Sequence, residues 1–245
     1  MENVQIIGLS RQIALQRQMD VVANNIANIN TTGFKAEALL FEEYKMPVAR
    51  NNSFSGNDQI ISYTQDWATI HDFSAGAIVQ TGNPLDVALQ GNGFLTVQTG
   101  DSERYTRNGE LKIDDTGLLV TNSGYPVLSE GGQIRFSPSE TEITIDANGN
   151  IYTNEGSKGR LKIVSFESPQ DLTIEGGNLY AGINPQQDLN SKISQGSLER
   201  SNVSGVAEMA EMIRVNRAYQ SLAQLQKTQA ELRQKAIQKL GSLQA

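Results

Sequence analysis

The chain has no cysteine, one histidine and one tryptophan among its 245 residues. Without cysteine there are no disulfides and no thiolate metal sites. The lone histidine, His71, reads as an ordinary surface or core residue, which excludes a histidine-based triad and a multi-histidine metal centre. No window approaches the run of about 18 apolar residues that spans a bilayer. The opening MENVQIIGLSRQ lacks a basic stretch followed by a long apolar one, so it does not read as a cleavable secretory signal. Proline is missing from both ends, since all six lie between Pro47 and Pro185.

Charge is unevenly spread. The net charge is −7, but residues 36–195 carry −11 while residues 1–35 and 196–245 carry +1 and +3. An acidic middle disfavours nucleic acid as its partner. The basic residues near the C-terminus, among them Arg214, Lys227 and Lys235, read as a solvated helix face.

The two ends read as long helices. Between residues 3 and 28, Ile6, Leu9 and Ile13 form one apolar set at spacings of three and four, and Leu15, Met19, Val22 and Ile26 form another. Asn28, Asn30, Thr31, Thr32 and Gly33 then compete for backbone hydrogen bonds or relieve a strained turn, ending the helix before Phe34. Residues 198–243 return to helix, with Ser201 or Ser204 placed as N-cap and Glu208 able to close a capping arrangement. Val206, Met209, Ile213, Val215, Tyr219, Leu222, Leu225 and Leu232 sustain a stripe long enough to read as a coiled-coil partner. The plainer alternative is an ordinary helix pair within the chain.

The middle differs. Seventeen of the 22 glycines fall in residues 36–195. Short alternating or β-branched runs recur at 86–89, 94–99, 110–113, 118–121, 133–136, 142–145, 150–153 and 161–166. Such spacing argues for an all-β body of antiparallel hairpins. Asn108-Gly109 and Asn148-Gly149 read as two-residue hairpin turns. Residues 37–44 suit a short helix or strand, stopped by Pro47. Val48–Asp58 reads as a flexible connector by composition, and Trp67 as an anchor at a core edge. The expected class is therefore α+β, an all-β hairpin-rich central domain flanked by N- and C-terminal long helices. The divisions are 1–35 with 196–245 (helical), 36–70 (connector) and 71–195 (β-rich).

Catalytic groups do not converge. Gly91-Asn92-Gly93 lacks the third glycine of a phosphate loop and reads as a turn. Asp146-Ala147-Asn148-Gly149-Asn150 has its glycine too early for a calcium loop and reads as a hairpin turn. No catalytic residue, metal ligand or cofactor is expected.

Three ordered blocks carry a resemblance. Ala23-Asn24-Asn25-Ile26-Ala27-Asn28 precedes Thr32-Gly33-Phe34-Lys35; Thr81–Ala88, Gly91–Phe94 and Tyr105–Gly109 follow; Gly196–Glu199, Ser201–Val203 and Glu208–Tyr219 close the chain. Together they resemble the flagellar basal-body rod proteins, over nearly the whole length. The resemblance is nearer to the proximal rod branch than to its competitors, the distal rod branch and hook-type axial proteins. It implies a non-enzymatic structural subunit whose terminal helices pair as an α-helical coiled coil lining the inner tube of an axial filament. It further implies torque transmission, type III export without a cleavable signal peptide, and a place in the periplasmic rod of the basal body. The partners implied are other rod and axial proteins in homo- and hetero-oligomeric helical assembly, with no nucleic acid and no membrane insertion. Asn24, Asn25, Ile26, Asn28, Gly33, Phe34, Met209, Met212, Ile213, Arg217, Tyr219 and Leu222 are the candidate assembly residues. The rivals are a cell-wall-binding or hydrolytic β-domain, which needs two opposed acids, and a monomeric binding module on a helical stalk.

Overall fold

The computed structural model describes the backbone of residues 2–48 and 59–242, and side chains within 6–42 and 68–239. The expected connector at 48–58 therefore lies, beyond Val48, outside the described residues, as does the side chain of Trp67. Two compact units emerge. One gathers Met1–Ile26, Glu37–Ile70 and Ser204–Ala245; the other gathers Ala27–Ala36 and His71–Val203. The architecture is α+β, with a helix at each end of a strand-rich middle.

In the first unit, helix α1 runs Glu2–Ala27, followed by the long strands β1 (Glu37–Val48) and β2 (Gln59–His71). These two form a sheet of their own. Pro47 does not stop β1, contrary to the sequence expectation. Proline removes one ladder donor, and a two-stranded sheet consists only of edge strands, where that loss is tolerated.

The β-rich unit continues with β3 (Ile78–Gln80), β4 (Val87–Gln90), β5 (Phe94–Thr99), β6 (Ser102–Thr106), β7 (Leu111–Ile113) and β8 (Leu119–Thr121). Next come β9 (Leu128–Ser129), β10 (Gly132–Gln133), β11 (Thr144–Ile145), β12 (Asn150–Thr153), β13 (Gly156–Arg160) and β14 (Ile163–Ser165). The last are β15 (Thr173–Ile174), β16 (Tyr180–Ala181), β17 (Gln186–Gln187), β18 (Lys192–Gln195) and β19 (Ser197–Glu199), and helix α2 (Gly205–Ser242) closes the described chain. The pairings with a described register are all antiparallel. The largest sheet has six strands in the order β15-β16-β6-β5-β14-β17. Its strand β5 is buried on both faces. Leu95 and Val97 enter the main core with Val127, Ile151 and Ile163, whereas Phe94 enters a second, aromatic cluster with Tyr105, Val164 and Tyr180. Opposite sides for neighbouring residues follow from the two-residue period of a strand.

Asn108-Gly109 is not a hairpin turn. β6 pairs with β5 and β7 with β8, so the dipeptide is a crossing between sheets. Gly109 is there for closeness: its carbonyl accepts the Val87 N–H at 3.0 Å, and an added Cβ would collide with the Val87 carbonyl oxygen. The Asn148-Gly149 turn does join a hairpin, β11–β12. Asp146 N–H bonds back to the Asn150 carbonyl at 3.0 Å, leaving three residues in the loop.

That loop has a twin. Ile113-Asp114-x-Thr116-Gly117-x-Leu119-x-Thr121-Asn122-x-Gly124 repeats 32 positions later as Ile145-Asp146-x-Asn148-Gly149-x-Ile151-x-Thr153-Asn154-x-Gly156. The Asp114 carboxylate accepts the N–H groups of Thr116 and Leu118 at 2.9 and 2.8 Å. The Asp146 carboxylate accepts those of Asn148 and Asn150 at 2.8 and 2.9 Å. Gly117 and Gly149 sit at φ +82° and +89°, the left-handed region that glycine enters at least cost. One turn design is thus used twice.

Candidate assembly surfaces

The N-terminal motif is a joint made of hydrogen bonds. The buried Asn25 amide donates to the Glu37 carbonyl at 2.8 Å and accepts the Glu37 N–H at 2.9 Å. It copies the pairing of a strand and ties the end of α1 to the start of β1. Asn28 accepts the Thr31 hydroxyl at 3.1 Å and the Thr31 N–H on its carbonyl at 3.1 Å, which turns the chain out of the helix. Gly33 has φ +67°, and a side chain there would strike the backbone of Arg107. Phe34 is buried, Ile26 half-buried and Asn24 exposed.

The three blocks quoted from the sequence meet beside Gly33. Lys35, from the first block, is fully buried, and its ammonium donates to Glu199 Oε1 at 2.7 Å and to the Ser74 carbonyl at 2.6 Å. Glu199, from the third, also accepts the Gly76 N–H at 2.8 Å. Arg107, from the second, stands 3.5 Å from the other oxygen of Glu199, donates to the Gly91 carbonyl at 2.7 Å and lies over the Phe94 ring. Burial pushes both the Lys35 ammonium and the Arg107 guanidinium below their ordinary ranges, against the opposing pull of Glu199. Asn202 then accepts the Ala36 N–H at 2.8 Å and donates to the Asp72 carbonyl at 2.7 Å, stapling three passes of the chain. Lys35, Arg107, Glu199 and Asn202 are not singled out by local pattern, because polar and charged side chains far apart in sequence read as solvated surface.

The helices carry the remaining candidates. Gln12 donates to the Tyr219 hydroxyl at 2.9 Å, and Gln18 donates to Glu211 at 2.7 Å. Rising numbers on α1 meet falling numbers on α2, so the two run antiparallel. Around α2, the buried Val215 and the half-buried Met212, Tyr219 and Leu222 share one side. Met209, Ile213 and Arg217 lie on the opposite side and are exposed. The two apolar sets of α1 divide likewise: Val22 is buried with Leu15, Met19 and Ile26 half-covered around it, whereas Ile6, Leu9 and Ile13 are exposed. The helix begins at Gly205, with Ser204, one of the two expected caps, in the N-cap position, its carbonyl accepting the Glu208 N–H at 2.9 Å. The Ser201 hydroxyl holds the Val203 N–H instead, at 3.2 Å.

The groups weighed for chemistry have structural tasks. His71 is buried, edge-on to Phe73 and Tyr180. The Asp146 carboxylate is occupied by the Asn150 amide and its own loop N–H groups, which hold it below the ordinary range. Gly91–Gly93 joins β4 to β5. Among the described residues, no helix is long and apolar enough to cross a membrane.

A β-rich unit with a buried core of its own, and a helix pair that keeps apolar side chains exposed on its outer sides, are features of a structural subunit. Comparison with known proteins agrees. Residues 7–35 match the family "Flagella basal body rod protein", residues 88–153 the "Flagellar hook protein FlgE/F/G D1 domain", and residues 194–239 the "Flagellar basal body rod FlgEFG protein C-terminal". The flagellar basal-body rod protein FlgF of Caulobacter vibrioides is 37% identical over 99% of this chain and 100% of its own length. FlgF of Escherichia coli is 36% identical over 83% and 84% of the two chains, and FlgG of Bacillus subtilis 33% identical over 94% and 96%. The chain belongs to the flagellar basal-body rod protein family. It is a structural rod subunit, not an enzyme, and stands with the FlgF proteins rather than the FlgG proteins. Membership implies a place in the flagellar basal body and assembly with other rod and axial proteins.

Proposed function

We propose that the chain polymerises through its terminal helices into a torque-transmitting shaft. In this reading residues 1–35 and 196–245 are the assembly domain, with α1 and α2 forming a coiled coil at the inner tube. Residues 36–70 link it to an outer β-rich domain, 71–195. The rod lies in the periplasm, and the subunit reaches it by type III export without a cleavable signal. The observation that carries this is the outward placement of Met209 and Ile213 on a helix whose opposite side already meets α1. Met212, Tyr219 and Leu222 then belong to the pairing within a subunit, and Met209, Ile213 and Arg217 to neighbours. Asn24 is exposed on α1 and is assigned to neighbours too, while Asn25, Ile26, Asn28, Gly33 and Phe34 serve assembly by fixing the joint.

Helices that owe their stability to packing are incomplete when alone. Far-ultraviolet circular dichroism and sedimentation of the purified chain across a concentration series test the reading. Helix content is expected to rise together with assembly. A chain that is strongly helical and stays monomeric at high concentration would overturn it in favour of the stalked binding module.

A further inference from the structure

We propose that Asn148 is a self-modifying site: in the folded chain its side-chain amide is lost to attack by the next backbone nitrogen, and two cations promote the step. Asn-Gly pairs occur at 92–93, 108–109 and 148–149. A glycine carries no side chain to crowd the nitrogen that must attack. The three pairs differ in what surrounds them.

Asn148 is exposed at the tip of the β11–β12 loop. Its Oδ1 accepts the Lys192 ammonium at 2.8 Å, and its backbone carbonyl accepts the Arg160 Nε–H at 2.8 Å. That carbonyl shares a peptide group with the Gly149 nitrogen. A cation bound to it draws electrons from the nitrogen and makes its proton easier to lose. The Lys192 ammonium stands where negative charge develops once the nitrogen adds to the side-chain carbon. One cation thus favours the nucleophile and the other the electrophile. The Gly149 N–H is held by the Asp146 carbonyl at 3.0 Å, so reaction follows the opening of that one bond at a loop tip, where local opening costs least.

The other pairs are placed differently. Gly93 is buried, and its N–H donates to the buried Ser191 Oγ at 3.0 Å. Asn108 Oδ1 accepts neutral donors, the Thr32 hydroxyl at 2.7 Å and the Glu110 N–H at 3.0 Å, and Gly109 is packed against Val87. The twin loop supplies a further contrast. Thr116 stands at the place of Asn148 in the same turn, and among the described residues no lysine or arginine hydrogen bond reaches it.

The step balances without any oxidant. The Gly149 nitrogen gives its proton to water and bonds to Asn148 Cγ, while the carbonyl electron pair moves onto Oδ1. Collapse breaks the Cγ–Nδ2 bond, and Nδ2 leaves as ammonia with a proton from solvent. Water then opens the cyclic imide. Opening at Cγ gives aspartate, whose carboxylate lies against Lys192. Opening at the backbone carbonyl gives isoaspartate, whose carboxylate lies against Arg160. One water is consumed and one ammonia released.

The full-length chain carrying Thr116→Asn is incubated, folded, in neutral buffer made with heavy-oxygen water, and peptide mapping by mass spectrometry follows the label. Asn148 is expected to react ahead of Asn92, Asn108 and the site grafted into the twin loop. Lys192→Met should slow it about tenfold, less than loss of a buried oxyanion donor because this contact is exposed. Lys192→Arg should keep most of the rate. In denaturant the four sites should converge. Faster reaction at Asn92 or Asn108, or an equal rate at the grafted site, would overturn the proposal. So would K192M reacting as fast as wild type, or an order of sites that persists in denaturant.

Discussion

In the β-rich unit Leu95, Val97, Val127 and Ile151 are fully buried, whereas on the helices Val206, Met209 and Ile213 remain mostly in solvent. The residue types are alike, so hydrophobicity alone does not separate the two regions. What separates them is the supply of partners. Each strand of the unit finds a neighbour along the chain, β3 from as far as β19, and the antiparallel ladders bring enough side chains together to cover both faces of β5. A helix pair has only two inward sides, and apolar residues on the outer sides wait for something beyond the chain. A subunit can thus be complete in one region and deliberately unfinished in another.

The sharpest way to break the comparison is Ile213→Asp. A carboxylate in the outer stripe of α2 meets desolvation in any packed contact, so assembly by sedimentation is expected to disappear. The amide exchange protection of β5 and β14 should be unchanged. Lost protection in those strands would show that helices and body share one core.

A smaller effect is expected from Lys35→Met, which leaves Glu199 buried with Arg107 as its remaining cation beside the Gly76 N–H. Removing one partner of a buried pair costs about 3 kcal/mol. The β-rich unit should unfold at correspondingly lower denaturant, and the double variant K35M/E199Q should not regain the loss, because it leaves Arg107 buried without the Glu199 carboxylate. Equal stability of wild type and K35M would mean that the clasp is not part of the unit's stability.

The smallest effect belongs to pH. Asp114, held by the Thr116 hydroxyl and loop N–H groups, Asp146, held by the Asn150 amide, and Glu140, held by Lys158, all ionise below their ordinary ranges. A carboxylate lowered in the folded state stabilises it fully above its unfolded value and loses that contribution as pH falls through the lowered one. Thermal stability of the β signal should be level above about pH 5 and fall progressively below about pH 4. D114N/D146N should flatten that slope, and a slope unchanged in the double variant would place its origin elsewhere.

Much of this was legible in the sequence, for reasons that also explain the failures. β5 and β12 fall where alternation and β-branching placed them, and the helix stripes announced themselves by spacing. β6 (SERYT) and β13 (GSKGR) were missed because polar strands carry no hydrophobic period; pairing with β5 and β12 makes them strands. Asn108-Gly109 has turn chemistry, but its glycine answers to Val87 across the body rather than to its own loop. The joint at Asn25 and Gly33 was visible as an odd helix exit. Its ionic half was not, because local pattern says nothing of a lysine that meets a glutamate 164 positions away.

That separation has a consequence for how the molecule is made. The Lys35–Glu199 pair couples an early-synthesised residue to one near the end, so loop closure must await nearly the whole chain. A product cut short before Glu199 keeps the ammonium of Lys35 without its counter-charge, and residues 27–36 then lose their seat on the body. The clasp therefore tells a chain made past Glu199 from one cut short before it, by whether residues 27–36 are held against the body.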